Sequence, residues 1–138
     1  ALDYINSNNL LVLGRNNKDI LTVIDQKYLN KDTITYKGKT IEYKTIHKSK
    51  GLESDDILII NLTNNNNSLP SKIEDNPLLK YVLVHKDIYP FEEERRLFYV
   101  ALTRTKNYCY LFVPKNNPSI FVEELIKNYK KYITLINL

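Results

Sequence analysis

The amino-acid sequence predicts an α/β domain with a largely parallel sheet flanked by helices, and three observations predict it. Uninterrupted apolar runs at Leu10-Leu11-Val12-Leu13 and Ile57-Leu58-Ile59-Ile60 have the length and composition of strands buried on both faces of a parallel sheet. Segments with helical apolar spacing alternate with such strands, which is the order that parallel α/β sheets require. The chain has 138 residues, 43% of them hydrophobic, which is enough for one core and too little for two, so a single domain over residues 1–138 is expected.

Each element has its own reason. The first strand ends at Gly14-Arg15. After it, Ile20, Leu21, Ile24 and Tyr28 keep helical spacing, which predicts a helix over residues 17–29. Residues 33–43 alternate β-branched and aromatic side chains around Lys37-Gly38, the pattern of two short strands and a tight turn, with a further strand over 41–46. Asp55-Asp56 introduces the second apolar run. Asn64-Asn65-Asn66-Asn67-Ser68 cannot bury apolar area and reads as a solvated surface loop. A short helix is expected over 78–84. Pro90 then halts the chain before Glu92-Glu93-Glu94, whose charges suit the positive end of a long helix with Leu97, Val100 and Ala101 on its apolar face. A strand over 108–113 and a helix over 119–130 complete the order.

Composition narrows function. Cys109 is the sole cysteine, so neither a disulfide nor a cysteine-based zinc site is expected, and no metal ligand set is read from the sequence. No apolar run is long enough to cross a bilayer and no signal-peptide order opens the chain, so a cytoplasmic protein without a membrane partner is expected. The net charge of +4 permits nucleic-acid binding without demanding it. The sequence contains no methionine, and is therefore expected to be part of a longer protein. Gly38-Lys39-Thr40 has the ending of a phosphate-binding loop. However, Thr33 stands where the first glycine of that motif belongs and strand-like Ile41-Glu42-Tyr43 follows, so a hairpin is expected and a Walker A loop is not.

Two segments carry chemistry. In Thr45-Ile46-His47-Lys48-Ser49-Lys50-Gly51-Leu52-Glu53, at the end of a strand, Lys48 and Lys50 can neutralise phosphate, Thr45 and Ser49 offer hydroxyls, and Gly51 allows close backbone approach. On composition Glu53 is equally an ion-pair partner or an acceptor for sugar hydroxyls. His47 has no triad-like or metal-like company; it is either a packed or surface residue or a nucleic-acid contact. In the second segment, Glu92 to Arg104, Arg104 follows Val100 and Ala101 by four and three positions, on the apolar side of the expected helix. Its anion is either an internal carboxylate, the helix's terminal carbonyls, or a phosphate. Arg95 and Arg96 are expected to pair with Glu92 or neighbouring acids on the helix.

Together these segments resemble motifs V and VI of UvrD/Rep-like superfamily 1 DNA helicases, in the right order and about forty residues apart. Residues 45–51, Glu93 to Thr103, and the tail Asn117-Pro118-Ser119-Ile120-Phe121-Val122-Glu123 look most like the helicase IV branch. The resemblance implies a RecA-like P-loop NTPase-type fold lacking the Walker A loop: the C-terminal of two motor domains. It further implies that Thr45 and His47 contact single-stranded DNA, with Ser49 beside them, and that Glu53 holds the ribose of ATP, with Lys50 and Gly51 on the nucleotide side. Arg104 is implied as an arginine finger to the γ-phosphate. Arg15 and Asn16 match a strand ending near the DNA. The implied cofactor is ATP with Mg²⁺, the metal being held by an N-terminal RecA-like domain that is also a partner. Ser54 and Thr105 depart from the family's usual aromatic or large apolar residue and alanine, and the span from Asn16 to Lys44 leaves no room for the large inserted subdomain of UvrD and Rep. Two rivals remain: an ATP-switched regulator of RNA polymerase without unwinding activity, and an α/β nucleotide-binding domain unrelated to DNA.

Overall fold

The computed structural model describes residues 2–73 and 90–138; the helix expected over 78–84, and His85, lie outside the described residues. Strand β1 (Leu10–Gly14) lies inside a six-stranded sheet with β2 (Leu29–Asn30), β3 (Thr33–Tyr36), β4 (Lys39–Thr45), β5 (Ser54–Ile59) and β6 (Thr105–Leu111), in the order β2-β3-β4-β1-β5-β6. β1 pairs in parallel with β4, Gly14 opposite Thr45, and with β5, Leu10 opposite Asp56. β5 pairs in parallel with β6, while β2, β3 and β4 form antiparallel pairs at the other edge. This is the expected RecA-like α/β sheet, with a hairpin appended. Lys37 and Gly38 turn that hairpin with φ of 48° and 77°, a geometry that glycine adopts without strain, so Gly38-Lys39-Thr40 opens a strand. The strand expected over 41–46 is the second half of β4.

Alternation sorts the strand side chains onto two faces. On one face, Leu11, Leu13, Ile57 and Ile59 pack with Leu97, Phe98 and Ala101 of helix α1 (Glu92–Leu102) and Phe121 and Val122 of helix α2 (Ile120–Tyr129). The Phe98 and Phe121 rings stack at 5.5 Å. Ser119 caps α2: its Oγ accepts from the Phe121 N–H at 3.3 Å and donates to the Leu69 carbonyl at 2.5 Å.

The opposite face carries Val12, Ile34, Leu58 and Ile60, joined by Ile5 and Ile20. The helix expected over 17–29 is not formed; two 3₁₀ turns, Asp19–Thr22 and Gln26–Tyr28, take its place. The β-branched run Thr22-Val23-Ile24 loses side-chain freedom in a helix, and the Thr22 hydroxyl donates to the Asp19 carbonyl at 2.7 Å, competing with a helical ladder. An apolar groove of about 320 Å³ lined in part by Leu2, Val23, Ile24 and Phe112 consequently opens on this face.

The asparagine-rich loop after β5 is exposed as expected at residues 64–67, yet it is pinned at its base. Ser68, Leu69 and Pro70 are buried, the Ser68 hydroxyl lies 2.6 Å from the Thr63 carbonyl and 2.7 Å from that of Asn65, and the Lys72 N–H donates to the Asn66 carbonyl at 2.9 Å.

Candidate nucleotide and single-strand interface

Topology separates the candidate residues into two groups. Residues 46–53 leave the C-terminal end of β4 and return to the N-terminal end of β5, passing across β1, which lies between those strands. With β1 as ruler, Thr45 stands level with Gly14, whereas Ser54 lies two residues ahead of Asp56, the partner of Leu10. The crossover therefore travels the height of the sheet, roughly 20 Å at the usual rise of a strand. It begins with Thr45 and His47 at one end and finishes with Glu53 at the other. Placement at a strand's C-terminal end thus holds for Thr45 and His47 and not for Glu53, while Lys50 and Gly51 lie between them in the turn that the Leu52 N–H closes on the Ser49 carbonyl at 2.9 Å.

At the N-terminal end, the Ser54 N–H donates to the Arg104 carbonyl at 3.0 Å, so Glu53 and Arg104 are the residues that immediately precede two paired strands. Ser54 is buried and its hydroxyl donates to the Asn9 carbonyl at 2.8 Å; the Thr105 Oγ1 lies 2.7 Å from the Tyr108 carbonyl and 3.1 Å from that of Asp55. These two departures from the family pattern close the edge with side-chain hydrogen bonds. Lys50, Gly51 and Glu53 are exposed, and Gly51 has φ of 83°, the left-handed conformation that explains a glycine here. Glu53 borders a cleft of about 180 Å³ shared with Asn8, Asn9, Thr40 and Glu42. That is smaller than the roughly 300 Å³ at which ligand pockets begin.

α1 ends at Leu102, so Arg104 lies just beyond the helix rather than on its apolar side. Its Nε donates to the Val100 carbonyl at 3.1 Å and its Nη2 to the Thr103 hydroxyl at 3.3 Å. The terminal carbonyl, rather than an internal carboxylate, is its partner. The other three arginines of the chain each meet a glutamate: Arg15 meets Glu94, Arg95 meets Glu124, and Arg96 meets Glu92 and Glu93. Arg95 thereby departs from the expected pairing within its own helix; its guanidinium forks onto α2 at 2.5 and 2.8 Å and lies 4.9 Å from the centre of the Phe121 ring. Among the described residues, Arg104 is the arginine with no carboxylate.

At the C-terminal end, Thr45 is buried and its Oγ1 accepts from the Lys48 N–H at 3.4 Å, while His47 and Lys48 are exposed on the 3₁₀ turn His47–Ser49. Ser49 faces inward: it is fully buried and its hydroxyl donates to the Ile46 carbonyl at 2.7 Å. Its side chain thus holds the turn that displays His47. Asn16 is fixed from three sides. Its N–H donates to Asp19 Oδ2 at 2.9 Å, its carbonyl accepts from the Tyr43 hydroxyl at 2.6 Å, and its Nδ2 donates to the Asn67 carbonyl at 2.9 Å. Burial and the adjacent Asp19 charge raise the Tyr43 pKa, keeping the phenol protonated as that donor. Arg15 is not free beside it, because Glu94 binds both its Nε and Nη2.

The family profile described as the UvrD-like helicase C-terminal domain matches residues 6–116, which takes in both ends of the crossover and all of α1. The chain belongs to that family. As a UvrD-like helicase C-terminal domain it is 38% identical over 88 residues to DNA helicase IV of Escherichia coli, an alignment covering 64% of this chain and 13% of that protein. It is 34% identical over 100 residues to a probable DNA helicase II homolog of Mycoplasma capricolum (65% of this chain, 12% of that protein). With a probable DNA helicase II homolog of Mycoplasma pneumoniae the identity is 33% over 107 residues (73% and 14%). This UvrD-like domain thus spans a small part of these relatives, and no solved structure matches it. Among its described residues no helix is long and apolar enough to cross a membrane, and no three His, Cys, Asp or Glu side chains converge as metal ligands. Burial pushes the Cys109 thiol up to about 12, so it stays protonated and serves packing.

Sequence reasoning missed Glu94, Asp19 and Tyr43 as supports of the site. Their partners lie 79, 3 and 27 positions away, and only the Asp19 to Asn16 spacing is short enough to have signalled a local turn.

Proposed function

We propose that this domain is the C-terminal motor half of an ATP-dependent DNA helicase or translocase, working against an N-terminal RecA-like domain of the same protein. The observation that carries the reading is Arg104: a part-buried guanidinium at the edge it shares with Glu53, held only by neutral groups among the described residues. A cation so placed suits an anion delivered from outside, and a phosphate matches its planar donors. The relatives' names add DNA and helicase activity.

In this reading Glu53 accepts from the ribose hydroxyls of ATP, with Lys50 and Gly51 beside it, and Arg104 stabilises charge on the γ-phosphate. Mg²⁺, which neutralises phosphate charge, enters with the nucleotide and is held by the N-terminal domain. Thr45 and His47 grip single-stranded DNA at the far end, with Asn16 beside them. The crossover 46–53 carries His47 at one end and Glu53 at the other, so closure of the cleft at one end moves the grip at the other, and cycles of closing and opening carry the protein along the strand.

The test is hydrolysis and unwinding by the full-length protein. Single-stranded DNA is expected to stimulate its ATPase and the protein is expected to open a tailed duplex; Arg104→Ala and His47→Ala are expected to abolish unwinding, and the 138-residue chain alone is expected not to hydrolyse ATP. Action on RNA polymerase with no unwinding would replace this reading with that of an ATP-driven switch. Unchanged DNA affinity in Thr45→Ala and His47→Ala would point to a nucleotide-binding domain unrelated to DNA.

A further inference from the structure

We propose that Glu94 is a positioning residue that couples the strand-facing loops to Arg104, and that Arg15 is its anchor rather than a contact to DNA; this rests on the motor reading above. Glu94 stands in the first turn of α1 with its side chain 13% exposed. Its carboxylate accepts from Arg15 Nε at 3.1 Å to each oxygen, from Arg15 Nη2 at 2.8 Å, and from the Ser71 N–H at 2.9 Å. One side chain therefore joins the end of β1, the loop after β5 and the helix that leads to Arg104.

The neighbouring acids do something different. Glu92 and Glu93 reach Arg96 on the same helix. Glu94 reaches across the fold, and its two attachments meet again at Asn16, which follows Arg15 and donates to Asn67 of the same loop. α1 has 11 residues and is about 16 Å long, a stiff rod with the Glu94 hub at one end and Arg104 just past the other. A displacement of the strand-facing loops is transmitted along it as a movement of the whole rod, because a packed helix does not compress. Arg15 is already engaged by a mostly buried carboxylate, and pulling it onto a phosphate would leave that charge unpaired.

The experiment compares full-length wild type, Glu94→Gln, Arg15→Gln and the double variant. ATP hydrolysis is measured with and without oligo-dT, and oligo-dT affinity across a salt series. Glu94→Gln keeps an acceptor for the Ser71 N–H and removes the charge. Stimulation of kcat by oligo-dT is expected to fall by about fivefold or more in each single variant, within the usual range of coupling between sites, with the KM for ATP unchanged. The double variant is expected to match the singles, because both remove one interaction. The slope of affinity against salt stays at the wild-type value in Arg15→Gln. Undiminished stimulation in the single variants overturns the proposal, as does a lowered melting temperature with the stimulation ratio intact, which marks Glu94 as merely structural. A salt slope reduced by about one in Arg15→Gln, with multiplicative losses in the double variant, makes Arg15 a phosphate contact and overturns it equally. A wild type whose hydrolysis ignores DNA removes the motor reading and this proposal together, whereas a stimulated wild type with unaffected variants removes only the proposal.

Discussion

Ser54 donates its backbone N–H to the carbonyl of Arg104 at 3.0 Å, which joins the end of the β4–β5 crossover to the residue that follows α1. The carboxylate before one strand and the guanidinium before its neighbour are thereby fixed on one edge by main-chain pairing. Side-chain substitutions can remove either group and leave this frame standing.

Arg104→Lys is expected to lower the DNA-stimulated kcat of the full-length protein by about a thousandfold, since an arginine finger contributes on that scale and an ammonium lacks the planar fork. Folding is expected to survive, because the lost contacts are to one carbonyl and one exposed hydroxyl. Steady-state ATPase and a thermal melt check both halves.

Glu53→Gln is expected to raise the KM for ATP about tenfold with kcat little changed, the loss of a charged hydrogen-bond acceptor for a sugar that does not react. A KM at the wild-type value in steady-state assays would assign Glu53 to a surface role.

Gly14→Ala is expected to destabilise the domain by about 1–3 kcal/mol, the range for overpacking a filled site. A Cβ there would collide with the Tyr43 hydroxyl and come within 2.9 Å of Asp19 Cβ, so two of the three supports of Asn16 would have to move. Urea denaturation reads the stability, and DNA affinity of the full-length variant reads the displaced turn.

Glu124→Gln is expected to cost at most about 1 kcal/mol, since the pair with Arg95 is nearly half exposed and water screens it. The Arg95 hydrogen bonds lower the Glu124 pKa from 4.5 in the folded chain. The pair's contribution is therefore fully present above the unfolded pKa near that value, and is lost as pH falls through the lower folded one. Stability of wild type and variant, measured by denaturation at neutral pH and through the acid range below 4.5, should differ at the first and converge in the second.

Local signals in the sequence determined much of this protein. Apolar runs such as residues 10–13 and 57–59 are strands because burial on both faces accommodates them, and the chain turns a hairpin at Lys37-Gly38 because left-handed backbone is cheap at Gly38. The two candidate segments, residues 45–53 and 92–104, could be picked out because their polar and charged residues are contiguous in the chain. The helix expected over 17–29 failed where periodicity met a β-branched run and a competing threonine hydroxyl.

Only the tertiary structure decided at which ends of the sheet those segments lie. A sequence segment gives no sign that residues 46–53 travel from one end of the sheet to the other; that follows from β4 and β5 being parallel with β1 between them. Likewise Arg15 looked available until Glu94, 79 positions away, was brought against it, while Arg104 was left with carbonyl and hydroxyl partners. Side-chain charge is local information, but whether that charge is spent or free depends on what folding places beside it.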